Sequence, residues 1–214
     1  MTAARVGNFA IWLVIMLLSV GVGGYALYLV ATGFEHLGLS NPMFDPWGLR
    51  LHIAASGVAM LLGAFQFFKP LRRNAPTLHR WMGWFYIVAC LVGGLAGGSI
   101  ALYSTAGPIA GWGFLFLAIF WAPFTLLAMA AAMRKDFVAH ERWMIRSFAL
   151  TFGAVTLRIY LPLAIIQNHG DFPLDAYRII AWAAWVPNLI VAELFILTLR
   201  KPRRPKVTPD VAPA

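Results

Sequence analysis

His79-Arg80-Trp81-Met82-Gly83-Trp84 opens a run that stays largely apolar to Leu102. A looser copy, His140-Glu141-Arg142-Trp143-Met144-Ile145-Arg146, opens another that reaches Ile166. Each copy follows an apolar run and a short basic loop. At a rise of 1.5 Å per residue, a helix needs about 20 apolar residues to cross the hydrocarbon of a bilayer. Both runs meet that length, so the repeated stretch is read as the threshold where a chain enters lipid.

Working outward, six such runs cover the chain: Phe9–Val30, Leu49–Phe68, Arg80–Leu102, Trp112–Met133, Trp143–Ile166 and Tyr177–Leu199. Short loops with breakers separate them, among them Asn41-Pro42, Pro70, Pro76, Gly107-Pro108 and Asp171-Phe172-Pro173. Composition agrees. Hydrophobic residues make up 61% of the 214 and charged residues 12%, about half the usual charged share of a soluble domain. The expected fold is all-α: one polytopic domain over residues 1–200, six transmembrane helices in a single bundle, with a Pro-rich, polar tail over 201–214 that should be disordered. The first run has no convincing cleavage site and is read as a retained helix.

The charges set the topology. Fourteen of the 17 Lys and Arg fall at the N-terminus, in the second and fourth loops with their helix mouths, and in the tail. The positive-inside rule then places both termini in the cytoplasm and the protein in the cytoplasmic (inner) membrane. The formal charge of +9 is thus a topology signal and a contact for anionic lipid, not a nucleic-acid footprint. A lone Cys90 excludes an intrachain disulfide framework and a cysteine-based zinc site.

Spacing along the helices is more informative than hydropathy. His52, Ser56, Ala59, Gly63 and Gln66 share one stripe of the second run; His79, Gly83, Tyr86, Cys90 and Gly97 one stripe of the third. His140, Met144, Ser147, Thr151, Ala154 and Arg158 share one in the fifth. In lipid, small and polar faces turn inward, where backbones approach and polar groups find partners. Runs two, three and five therefore line a common interior, and runs two to five form two parallel hairpins, each with its His at the same cytoplasmic depth.

Two neutral imidazoles facing each other across a bundle are a usual way to hold b-type haem. His79 and His140 are the candidate axial ligands, with Gly83 leaving room and Arg80, Arg142 and Arg146 available to propionates. The bland alternative has both imidazoles bonding loop carbonyls or lipid phosphates. His52 lies about 20–25 Å away in depth, at helical rise, and cannot share an iron with His79. A second haem would need a His in the fourth run, which has none. With Arg158, an intramembrane cation that by default marks a functional or polar site, His52 would line an outer pocket for a quinone or small reductant. Gln66, Asn188 and Glu193 complete the polar candidates; Glu193 could join Gln66 and the two histidines in an inner layer, or pair with Arg200 or Arg146. Pro123 and Pro187 predict helix distortions. No phosphate loop, paired carboxylates, HExxH or nucleophile elbow occurs.

The patterns Leu49-Arg50-Leu51-His52, Leu78-His79-Arg80-Trp81-Met82-Gly83, and Ala139-His140-Glu141-Arg142-Trp143-Met144-Ile145-Arg146 with Thr156-Leu157-Arg158 resemble a bacterial family of predicted membrane proteins of unknown function. The likeness spans Leu49 to Pro162 and implies an integral cytoplasmic-membrane protein. More loosely, the bundle is similar to diheme ascorbate-reducing cytochromes, from which it departs by lacking the His of the fourth helix. The functional expectation is quinone-linked or transmembrane electron transfer through one b-haem. The rival expectation is a non-redox bundle, transporter-like or an accessory subunit, whose polar stripe only holds helices together.

Overall fold

The computed structural model describes residues 3–33 and 46–199, with side chains from Phe9 and from Trp47 onward. The outer loop with Glu35 and His36, Arg200 and the tail over 201–214 lie outside the described residues. Within them the structure is helical: α1 (Ala3–Thr32), α2 (Pro46–Gln66), α3 (Lys69–Asn74), α4 (Pro76–Ala101), α5 (Pro108–Met133), α6 (Phe137–Thr151), α7 (Gly153–Gln167), α8 (Leu174–Ala183) and α9 (Val186–Leu199). Six spans are long and apolar enough to cross a membrane, with α6–α7 forming the fifth and α8–α9 the sixth.

The helices begin several residues before the apolar runs do, because capping chemistry rather than hydropathy sets their ends. Pro76 and Pro108 sit in the first turns of α4 and α5, where a missing N–H costs nothing. Asp136 caps α6, its Oδ1 accepting from the Ala139 N–H at 2.9 Å. Lys135, at φ 60°, makes the tight turn before it. The loop expected after α2 instead holds the short basic helix α3, which buries none of its residues.

Large side chains cover the outside: Leu95, Ile166 and Ile179 are 70% exposed or more. An apolar surface of that extent is stable only against lipid. The interior is built by small residues. A Cβ on Gly63 would lie 2.7 Å from Phe148 and 2.8 Å from Tyr86, so that glycine lets α2, α4 and α6 close on one another. Tyr86, Trp121, Phe148 and Trp185 fill the space so framed.

Pro123 does not interrupt α5. The sixth span breaks at Ala184–Trp185, immediately before Val186-Pro187, where Pro187 lacks the N–H that would bond the carbonyl one turn back. The fifth breaks at Phe152, which no proline explains. The two breaks meet: a Cβ on Gly153 would lie 3.3 Å from both the Ala184 carbonyl and Trp185 Cβ. Beyond them, Asn188 Nδ2 donates to Thr156 Oγ1 (2.9 Å) and to the Ala184 carbonyl (3.0 Å), tying α9 to α7.

Candidate functional site

The polar side chains gather at two poles with a buried hydroxyl network between them. The pole near the mouths of α4 and α6 carries the basic loops and is called the basic pole; the other is the far pole.

At the far pole, a cavity of about 370 Å³ opens among α1, α2, α4, α5, α6, α7 and α8. Its walls are mostly small and apolar, and His52 and Arg158 both line it, with Ser56, Thr151, Trp121 and Tyr177. The glycines of α4 make the room. His52 Nδ1 donates to the Gly93 carbonyl at 2.8 Å, which assigns the proton to Nδ1 and leaves the Nε2 lone pair free. A Cβ on Gly97 would stand 2.6 Å from the same ring, so only glycine admits His52 there. Arg158 Nη1 donates to the Ala154 carbonyl at 3.1 Å. No carboxylate pairs with it among the described residues. His52 thus bonds α4, and His52 and Arg158 present different chemistry, an acceptor and a cationic donor, to one space.

At the bundle's centre, Tyr86 Oη meets Ser147 Oγ (2.8 Å) and Thr151 Oγ1 (3.0 Å), Ser147 Oγ meets Thr125 Oγ1 (2.6 Å), and Trp121 Nε1 donates to Thr151 Oγ1 (2.9 Å). All five side chains are buried. Tyr86, Ser147 and Thr151 were on the inward stripes of the sequence. Trp121 and Thr125 were hidden in a run that reads as uniformly apolar; the one signal was their spacing of four, which puts indole and hydroxyl on one face.

At the basic pole His79 and His140 are both half-buried. His140 Nδ1 donates to the Ala128 carbonyl at 2.8 Å, holding the ring with Nε2 unengaged. His79 Nδ1 is buried and has no partner, and so is Gln66 Nε2. A Cβ on Gly83, one turn beyond His79, would meet only Gln66 Oε1, at 3.6 Å; the space beside it is open. His79 lies within electrostatic reach of His140 and of Arg72. Arg80 is exposed and Arg142 half-buried. Arg146 is committed elsewhere: Nε and Nη2 hold both oxygens of Glu193, at 2.5 and 2.8 Å, and the guanidinium stacks 4.6 Å over Trp143. Glu193 therefore takes the Arg146 pairing, one of the three arrangements the sequence offered. Asn188 belongs to the α7–α9 tie and does not line the cavity.

Among the described residues no three metal-ligating side chains converge. The donor set of the basic pole is two imidazoles, which suits a macrocycle that supplies its own four equatorial nitrogens.

No curated protein and no solved structure matches this chain. One family does, over residues 49–196, from the start of α2 into α9. The chain belongs to that family, the predicted membrane proteins designated DUF2306.

Proposed function

We propose that this DUF2306 member sits in the cytoplasmic membrane with both termini inside and binds, in its far-pole cavity, an amphipathic molecule with an oxygen-bearing ring head, a quinone or quinol. One observation carries the reading: His52 and Arg158 converge on a cavity otherwise walled by small and apolar groups. Such a space with few convergent polar groups is the usual form of a small-molecule site. With its Nδ1 proton held by Gly93, His52 keeps Nε2 free to take the proton of a quinol hydroxyl. Arg158, which no carboxylate among the described residues pairs, donates to the second oxygen. In low dielectric, a hydrogen bond from a charged donor is among the stronger kinds.

A b-type haem between His79 and His140 completes the redox reading, favoured by the Nδ1 anchor of His140 and the open side of Gly83. When bound, it would supply one-electron transfer between the cavity and a partner. His140 would present Nε2 with its ring fixed by Ala128, as ligating imidazoles usually are, and Arg80 and Arg142 would face the propionates.

Two measurements test the parts separately. Titrating the purified protein with a short-chain quinone should give an affinity that falls about tenfold or more in Arg158→Gln, from the ~1.5–3 kcal/mol of a charged hydrogen bond. Equal affinity in wild type and variant overturns the cavity assignment. Haem-replete preparations should show reduced-minus-oxidised bands that vanish in His79→Ala and His140→Ala but persist in His52→Ala. A colourless wild-type preparation removes the haem and leaves the non-redox bundle.

A further inference from the structure

Six helices ring the far-pole cavity in the order α1, α2, α4, α5, α8, α7 and back to α1, with Leu150 and Thr151 of α6 at its inner end. Five of the seams between them are fastened. A Cβ on Gly23 would stand 2.9 Å from the Gly57 carbonyl oxygen, so α1 and α2 meet backbone to backbone. His52 bonds α2 to α4. A Cβ on Gly111 would lie 2.8 Å from the Ala101 carbonyl oxygen, which closes α4 on α5. Indoles join α5 to the sixth span, Trp182 Nε1 donating to the Ile109 carbonyl (3.0 Å) and Trp185 Nε1 to that of Gly113 (3.1 Å). α8 and α7 meet where Gly153 stands against the Ala184 carbonyl.

The sixth seam is different. α1 packs mainly on α2 and only sparsely on α7. From Leu157 to Gln167 no residue of α7 is buried, and among the described residues Arg158 bonds only the Ala154 carbonyl of its own helix. A segment with so few buried contacts opens locally at low cost. The seam also gives onto lipid. It lies within membrane-spanning stretches of both helices, and α7 carries exposed Ile159, Leu163 and Ile166. Along α2 the cavity wall runs from Leu49 to Met60, about 16 Å at helical rise, so the space reaches well below the headgroups. Its volume of about 370 Å³ is near the lower end for small-molecule sites, about 300–1,000 Å³. That admits a ring head but no long chain, so a tail has to leave through the wall.

We infer that the cavity is filled sideways from the bilayer, through the seam between α1 and α7, and that its ligand is a lipid-borne ring with a long apolar tail, not a water-borne reductant. The inference deepens, and rests on, the reading of His52 and Arg158 as the groups that hold the ring. The head sits at those two side chains and the tail lies in the seam, where it exchanges one apolar surrounding for another.

Photolabelling of the full-length protein in phosphatidylcholine nanodiscs tests the route. The probe is a benzoquinone with a decyl tail that bears a diazirine, and labelled peptides are identified by mass spectrometry. Labelling of the wild type should concentrate on α1 and α7 and be competed by the unmodified decyl quinone. It should fall about tenfold or more in Arg158→Gln, which removes the charged hydrogen bond to the ring. A membrane-impermeant sulfonated quinone should compete about tenfold less well or worse, since it has no tail to bury. Labelling that depends on Arg158 but centres on another seam overturns lateral entry and leaves the cavity assignment standing. Equal competition by the sulfonated quinone does the same. Labelling that Arg158→Gln leaves unchanged overturns the cavity assignment, and the route with it.

Discussion

Gly97→Ala and Gly98→Ala are the same chemical change one residue apart, and they should behave oppositely. At Gly97 the new methyl would stand 2.6 Å from His52 Nδ1 and 2.7 Å from Cε1, inside any allowed contact, so the ring must leave. With it goes the 2.8 Å bond to the Gly93 carbonyl. Overpacking a filled interior costs ~1–3 kcal/mol, and a hydrogen bond between membrane helices averages ~0.6 kcal/mol. Together the loss is about 2–4 kcal/mol. At Gly98 the methyl meets Ala118 Cβ at 3.4 Å and Leu115 Cδ1 at 3.8 Å, ordinary contact, and the change should be neutral or slightly stabilising. Helix propensity does not rescue Gly97→Ala, since membrane spans stay helical when their packing is lost. Thermal or denaturant unfolding in detergent reads both variants, and quinone titration should show Gly97→Ala weakened and Gly98→Ala unchanged. Equal destabilisation, or a fully stable Gly97→Ala with normal binding, would refute the placement of His52 against α4.

Tyr86→Phe deletes the hydroxyl that joins Ser147 and Thr151 and should cost about 1–2 kcal/mol, given that its partners keep other bonds; the unfolding midpoint measures it. Arg146→Met should destabilise by about 1–3 kcal/mol, the cost of leaving a charged hydrogen-bond partner unpaired; the 44% exposure of the Glu193 side chain lies within a membrane span and brings no aqueous screening. The double change Arg146→Met with Glu193→Leu should recover most of that loss, and a double variant as unstable as the sum of the two singles would contradict the pairing. Asn188→Leu should loosen the tie across the two helix breaks without altering quinone affinity, since Asn188 lies outside the cavity wall.

The amino-acid sequence alone determined the six spans, their all-helical character and the stripes that face inward. The reason is that lipid leaves a backbone no choice but internal hydrogen bonding, and it sorts side chains by polarity along a fixed helical period. His52, His79, His140, Gln66 and Arg158 stood out for the same reason: a polar group at membrane depth is conspicuous among leucines. Which of them meet was decided by tertiary structure. Distance along the chain says nothing of whether Arg146 turns to Glu193 or toward a ligand; helix rotation and the bidentate fit of the pair settled it. Only close packing could turn Gly93 and Gly97 from generic small residues into the seat of one imidazole. The break at Phe152, beside Gly153, packs against the neighbouring span's break at Trp185, and that meeting was decided by tertiary structure.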